Sequence, residues 1–384
     1  MIKLPPLLYR GSVKNVRGEV SAESLLFEFS DRYSVFDWGE MPDLLSGKGA
    51  ALAIMGKSFF QYLENPKNWE NLFSSEIINK TFSSDYLFNL KETALFKKYC
   101  ESGLNHHALL NDETYAWNSP YLKVKNVSIL KPTLTDDQSY QYFAYRDKPV
   151  NTLVPLEVIF RIGLSEGNSL SKRLGNNQNL WKEFGFNETP TGGSLLKKPV
   201  IDFSTKLERG DRYLSYTEAC DIAGLNSKEW TELHQMTHLI ALNLFHFHHM
   251  IGLELWDGKI EVAFTKNPDG TRSFMLVDSI GIDELRLLYK GKSFSKEFLR
   301  ESYKNSDWYK NLEAAKKDSL LTGVDFKDIC LNHYHSGPLK LDPEVKLRAE
   351  SVYKSYCNSV SAFLGHELNF NAEFDLDNYA LRYL

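Results

Sequence analysis

The chain has 384 residues, 42% of them hydrophobic and 25% charged, which suits one large domain or two lobes with separate cores. A formal net charge of −5 argues against the broad positive field that nucleic acid needs, while leaving room for a local phosphate pocket. Met1-Ile2-Lys3-Leu4-Pro5-Pro6 is no charged stretch followed by an apolar one, and no apolar run is long enough to span a bilayer. Residues 7–37 alternate as strands do, and Leu25, Leu26, Phe27 and Phe29 form a short apolar run between polar neighbours. Gly47-Lys48-Gly49, with apolar residues at helical spacing across 44–63, predicts a loop-to-helix transition. Residues 64–150 mix aromatic and polar positions without a clear period and read as irregular elaboration with a few strands.

Farther on, 154–160 is apolar and β-branched, which predicts a strand. Residues 175–198 are rich in Asn, Gly, Thr and Lys and read as a surface loop, and 228–251 reads as one long helix. Two strands at 253–264 and 273–280 flank the turn Asn267-Pro268-Asp269-Gly270. From Ser295 to about Leu364 the pattern is helical, broken near Gly337-Pro338, and no internal repeat appears. Cys100, Cys220, Cys330 and Cys357 form no CxxC pair, so reduced thiols of a cytoplasmic protein are expected rather than a disulfide or metal site.

Three polar clusters carry candidate chemistry. In Tyr9-Arg10-Gly11-Ser12-Val13-Lys14 a glycine lets backbone N–H groups approach a phosphate that Lys14 can also reach; a plain strand-entry turn is the alternative. From Arg161 to Gly175, an arginine, a glycine-bearing loop, Ser169, Lys172 and Arg173 suit an anion cradle, or else a solvated basic helix start. On the hairpin, Asp257, Lys259 and Glu261 share a face, and Asp278 ends the apolar run of the partner strand. Two carboxylates beside a lysine suit a Mg²⁺–nucleotide site, with solvated strand charges as the alternative. His234 and His238 have the i, i+4 spacing of a metal pair, but Glu232 precedes them and no zincin glutamate follows. A structural role is expected for both, as for His246, His248 and His249.

Read together, the clusters resemble the SAICAR synthetase (phosphoribosylaminoimidazole-succinocarboxamide synthase) family, with the longer yeast-like branch the nearest in pattern. The likeness runs through RGSVKN at 10–15, DRYSVFD at 31–37, SGKGAAL at 46–52, VPLEVIFR at 154–161 and NSLSKRLG at 168–175. It continues through PVIDFSTKLERGD at 199–211, DGKIE at 257–261, LVDSIGIDELRL at 276–287 and SKEFLR at 295–300, with a weaker match at 341–356.

That resemblance implies a two-lobed α+β ATP-binding fold, with antiparallel sheets and a helical C-terminal part, related to the lipid and inositol phosphate kinases. It suggests an N-terminal lobe over 1–150 with an elaborated insert, a catalytic lobe over 151–365 and a tail over 366–384. The implied reaction phosphorylates the carboxylate of a carboxyaminoimidazole ribotide with ATP, and the amine of L-aspartate then displaces phosphate to form an amide. Lys14, Lys259 and Asp257 would be catalytic; Arg10, Gly11, Ser12, Lys14 and Glu157 would hold the nucleotide, with Glu261 and Asp278 on Mg²⁺. Arg161, Ser169, Lys172 and Arg286 would grip the ribotide phosphate. Asp31, Arg32, Ser34, Asp37 and Lys48 would line the substrate side, and Thr205, Lys206, Glu208 and Asp211 would close over the ribotide. The implied partners are small molecules, with no nucleic acid and no membrane, and the implied assembly is a monomer or homodimer.

The chain departs from the family pattern at Ser12, where a lysine is usual, at Ser279, where a glutamate is usual, and in the loop 162–168 with its extra Asn168. Leu52 and Ala53 replace the paired asparagines of the short bacterial forms. Each lost charge-assisted contact typically costs about 1.5–3 kcal/mol, which weakens a site without abolishing it. The rival readings are a ligase of the same mechanism with another carboxylate or amine, an inositol-type kinase, and a non-catalytic binding paralogue.

Overall fold

The turn Asn267-Pro268-Asp269-Gly270 closes a hairpin as its sequence predicts. Gly270 takes a φ of 86° and its N–H donates to the Asn267 carbonyl at 2.9 Å. The strands it joins, Leu253–Lys266 and Arg272–Val277, pair antiparallel from Glu261 opposite Val277 to Lys266 opposite Arg272. The structure is a computed structural model that describes residues 3–136, 139–165, 169–175, 178–186 and 192–384. By internal contacts the chain forms two compact units, one of Met1–Met55, Asn111–Val124 and Lys292–Leu384, the other of Gly56–Leu110 and Lys125–Gly291. This partition interleaves distant segments, whereas the cuts at 150 and 365 follow the order of motifs along the chain.

The first unit contains a sheet in the order Leu7–Arg10, Lys14–Arg17, Ser24–Phe29, Tyr121–Lys125. Its helices include Glu297–Lys304, Asp307–Thr322 and Pro343–Phe363, with buried Trp308, Tyr353 and Tyr356 among them. Pro343 sits where a helix tolerates it best, in the first turn, and Asp342 accepts the Glu344 N–H at 2.9 Å. The residues after 365 also fold: Leu376–Tyr383 is a helix, capped by Asp375.

In the second unit a sheet runs Tyr213–Leu214, Ser194–Thr205, Leu156–Leu164, Leu253–Lys266, Leu285–Tyr289. Alternation gives it two unlike faces. Val158, Phe160, Ile162, Ile201, Phe203, Ile260 and Val262 are fully or almost fully buried on one. The long helix Ser227–Met250 packs there, with the Trp230 ring tilted against that of Phe203 at 5.1 Å between centres. Asn226 and Glu229 start that helix with a reciprocal capping box, and Glu229 also pairs with Arg272 of the hairpin at 2.7 Å. Gly258 lies on the apolar face, where a Cβ would stand 2.4 Å from the Phe160 ring and 2.7 Å from Leu285. Only glycine lets the strand carry Asp257 and Lys259 past that contact.

Two expectations need correction. The part of 64–150 up to Ser102 is largely helical, with Lys67–Glu70, Glu76–Thr81, Ser84–Lys91 and Ala94–Ser102, while the few strands expected are present at Tyr121–Lys125, Thr133–Leu134 and Tyr140–Gln141. Each of these helices is short and buries only one or two side chains, such as Trp69 or Ile78, too few to print a helical period on the sequence. The segment 175–198 contains the helix Gln178–Phe184 and the start of the Ser194–Thr205 strand, so it is more than a loop. Leu180, Trp181 and Phe184 pack there against Leu164, Leu170 and Leu174.

Candidate active site

In an antiparallel sheet, directly opposed residues project to the same side. Asp257 is opposed by Arg161 on one neighbouring strand and by Arg286 on the other, so the two arginines flank one carboxylate across three strands. Lys259 opposes Ile159, Ile159 opposes Asp202, and Glu157 opposes Ser204. Glu261 opposes Val277, the residue just before Asp278. Glu157, Arg161, Asp202, Ser204, Asp257, Lys259, Glu261 and Arg286 thus share the face turned away from the long helix. Charges strung along the chain are collected on one surface by register alone.

At one end of this face stands an arginine cluster. Arg161, 4% exposed, donates to Asp202 at 3.0 Å and to the Ser169 hydroxyl at 3.2 Å. Ser169 shares a 2.8 Å hydrogen bond with the Tyr213 hydroxyl. Arg173 also pairs with Asp202 and lies over the Tyr213 ring, 3.8 Å from its centre. Burial opposes the Arg161 charge, but Asp202 and then Asp257 more than offset it and hold its pKa above the ordinary value. Arg286 donates to Asp257 at 2.6 Å and to the Ser165 hydroxyl at 3.0 Å. Three guanidinium groups and three hydroxyls on one end suit an anion with several oxygens. Lys172 is exposed and does not join the cluster among the described residues, and Asn168 lies outside them.

At the other end, acids and lysines alternate. Lys206 donates to Glu261 at 2.6 Å and lies 3.5 Å from Glu157. Lys259 donates to the same Glu157 oxygen at 2.6 Å, and the Ser204 hydroxyl reaches its other oxygen at 3.2 Å. Burial opposes the charge of Lys206, and Glu261 and Glu157 overcome it, which holds its pKa well above the ordinary lysine value. Asp278 takes a φ of 67°, rare for a residue with a Cβ, and its carbonyl accepts from His107 Nε2 at 3.0 Å. Thr205, Glu208 and Asp211 lie on the following segment, closed by the Thr205 N–H on the Arg212 carbonyl at 3.0 Å. Glu208 there accepts from the Tyr142 hydroxyl at 3.1 Å. Asp211 is exposed.

In the first unit, Arg10 through Lys14 form a tight turn between two strands, with the Gly11 N–H on the Lys14 carbonyl at 2.9 Å. A Cβ at Gly11 would meet that oxygen at 2.6 Å. The Lys14 ammonium stands 4.5 Å from the centre of the Phe27 ring, Arg10 pairs with Glu40 at 2.7 Å, and Ser12 is half-buried in the turn. Buried Arg32 braces the turn from below, donating to the Gly11 carbonyl at 2.9 Å and to Asn15 at 2.6 Å. Asp31 accepts the N–H groups of Gly49 at 2.9 Å and Gly47 at 3.3 Å, where the helix Lys48–Glu64 starts. Ser34 accepts the Gly39 N–H at 3.2 Å, Lys48 is 1% exposed, and Asp37 is exposed with a φ of 61°. Asp31→Ala is expected to lower stability by about 1 kcal/mol, because two helix-start donors lose their acceptor. A denaturant midpoint equal to the parent's would remove that capping role.

His234 and His238 are held inside the fold by their own hydrogen bonds. His234 bonds to the Trp230 carbonyl at 3.1 Å, and burial pushes its imidazole down to about 4. His238 meets the Tyr86 hydroxyl at 3.1 Å, and its pKa is pushed well below the usual value by burial.

The sequence model of the SAICAR synthetase family matches residues 7–315. The chain is 32% identical, over 339 residues, to an Archaeoglobus fulgidus protein named "Putative phosphoribosylaminoimidazole-succinocarboxamide synthase", covering 87% of each. The chain belongs to the SAICAR synthetase family. A phosphoribosylaminoimidazole-succinocarboxamide synthase of Thermoplasma acidophilum is 24% identical over 322 residues, covering 82% of this chain and 88% of its own. Among solved structures, a SAICAR synthase aligns with a TM-score of 0.53 at 19% identity, over 93% of this chain and 95% of that one. The SAICAR synthase from Saccharomyces cerevisiae complexed with SAICAR gives 0.52 at 18%, over 94% and 98%. These likenesses establish the mixed helix and antiparallel-sheet fold of SAICAR synthetases for this chain.

Arg173 was expected in the anion cradle, whereas Asp202 and Tyr213 carry no motif that marks them in the sequence. Asp202 stands inside the matched run at 199–211, where the one acid among apolar strand residues is the signal that could have found it.

Proposed function

We propose that this SAICAR synthetase family member uses ATP to join L-aspartate to the carboxylate of 5-amino-1-(5-phosphoribosyl)imidazole-4-carboxylate, in de novo purine biosynthesis. A carboxylate is a poor electrophile until its oxygen becomes a leaving group, so ATP first converts it to an acyl phosphate and the aspartate amine then displaces phosphate. The observation that carries the reading is one sheet face bearing Arg161, Asp257 and Arg286 in a row, with Glu261 opposite Val277, the residue before Asp278. Arg161 and Arg286, with Ser169, grip the ribotide phosphate, and Asp257 holds Arg286 in place for it. Lys172 lies on the adjoining helix within reach of solvent anions. Lys259 stands near the reacting carboxylate and neutralises charge as the phosphoryl group arrives.

Gly11, Ser12 and Arg10 shape the turn over the nucleotide phosphates, and Lys14 supplies its cation. Asp31, Arg32, Ser34, Asp37 and Lys48 belong to the substrate side, where Asp31 and Arg32 act through the helix start and the turn they brace. Thr205, Lys206, Glu208 and Asp211 form the segment that closes on the ribotide. Along the chain, the phosphate-covering part with Lys14 lies in 1–150, and the other two catalytic residues, Asp257 and Lys259, lie in 151–365. Glu261 and Asp278 offer oxygen donors, the kind Mg²⁺ takes, and among the described residues no group of three acids, histidines or cysteines suits a metal. Nucleotide oxygens and water would therefore complete the shell. The ion, when bound, neutralises charge at the transferring phosphoryl group. We place the activity in the cytoplasm, on small molecules; among the described residues no helix is long and apolar enough to cross a membrane.

An ADP-release assay with Mg·ATP, omitting L-aspartate and the ribotide in turn, tests the reading. Release only when both are present is expected. Turnover with a different amine or carboxylate, but not with these, would select the related ligase instead, and phosphorylation of a hydroxyl substrate would select a kinase.

A further inference from the structure

Lys206 and the two acids it touches form a closed charge row: Glu261, Lys206, Glu157 and Lys259, in that order, with contacts of 2.6, 3.5 and 2.6 Å. Glu157 and Glu261 are both buried, at 6% and 7% exposure, so each needs a positive partner whenever nothing else neutralises it. Lys206 supplies that charge to both. It is anchored by its own N–H on the Pro155 carbonyl at 3.1 Å, and it opens the segment whose far end Arg212 closes back on Thr205.

A divalent cation at Glu261 would stand against this ammonium within contact distance, where like charges in a half-buried site repel strongly. We propose that Lys206 is a tethered counter-ion: it holds Glu261 when no divalent cation is present, and yields that carboxylate to the cation by shifting onto Glu157. The destination already exists, since the ammonium is 3.5 Å from Glu157, and Lys259 must then share that acid. Because Lys206 begins the 206–211 segment, its shift couples cation arrival to the part of the chain that closes on the ribotide. Lys206 is a positioning residue in this scheme, and the inference rests on the reading of Glu261 as a metal ligand.

Mn²⁺ binding to the full chain, without nucleotide or ribotide and followed by the electron paramagnetic resonance of free Mn²⁺, separates the two claims. Lys206→Met is expected to tighten Mn²⁺ by about tenfold, because the competing cation is gone, and Lys206→Arg should stay near the parent. Glu261→Gln should lose the site in either background. Equal or weaker binding in Lys206→Met, with Glu261→Gln still abolishing it, overturns the counter-ion role alone. Undiminished binding in Glu261→Gln overturns the metal reading beneath it. Lys206→Gln serves as the second variant if Lys206→Met does not fold.

Discussion

Glu261→Gln and Asp278→Asn are each expected to lower kcat/KM by more than about a hundredfold while the fold is kept, a loss of about 2.7 kcal/mol or more in transition-state stabilisation. Both substitutions are near-isosteric and remove one negative charge, which under the proposed metal role leaves the transferring phosphoryl group less well neutralised. The fold should survive for separate reasons. In Glu261→Gln, Lys206 retains Glu157 at 3.5 Å, so no buried ammonium is stranded. At position 278 the backbone φ is 67°, and asparagine is among the few residues that accept it, whereas alanine would add strain to the lost charge. Steady-state kinetics across a magnesium titration, with thermal unfolding of the same samples, checks both halves. Full activity in either variant removes that residue from the metal site.

Asp202→Ala should show the second large effect, and it should appear in stability as well as in substrate binding. Asp202 is fully buried and is the shared acceptor for Arg161 and Arg173. Removing it leaves two guanidinium groups facing each other in a dry site, with an expected cost of about 3–5 kcal/mol. The melting temperature should fall by about 10 °C on the scale of a large domain. The KM for the ribotide should rise at least about tenfold, since Arg161 loses the contact that sets its orientation. Calorimetry and initial-rate kinetics measure the two, and a melting temperature unchanged within a degree or two would show that the arginines do not depend on Asp202.

The legible parts share one property: their information is local. Alternation and the Asn-Pro-Asp-Gly turn specify the hairpin; a long apolar stripe specifies the 227–250 helix; and Glu261 stands opposite Val277, the residue before Asp278, because the turn length sets their register. The illegible parts depend on distant partners. Asp31 and Arg32 read as substrate-side residues in the matched segment 31–37. Yet Asp31 is committed to the backbone of Gly47 and Gly49, and Arg32 to the turn at Gly11, contacts no pattern in their own segment announces. The short helices between 67 and 102 each bury too little to imprint a period.

The sequence alone determined the family, the order of the motifs and the residue types that chemistry of this kind requires. Only the tertiary structure decided which charges meet. Asp202 reaches Arg161 from 41 positions away, and Lys206 reaches Glu261 from 55, and both meetings follow from the pairing of three strands in one register. Shifting a single strand by one residue would turn its charged row into the apolar face, which is why burial of the opposite side, and not any signal within the motifs, assembles the site.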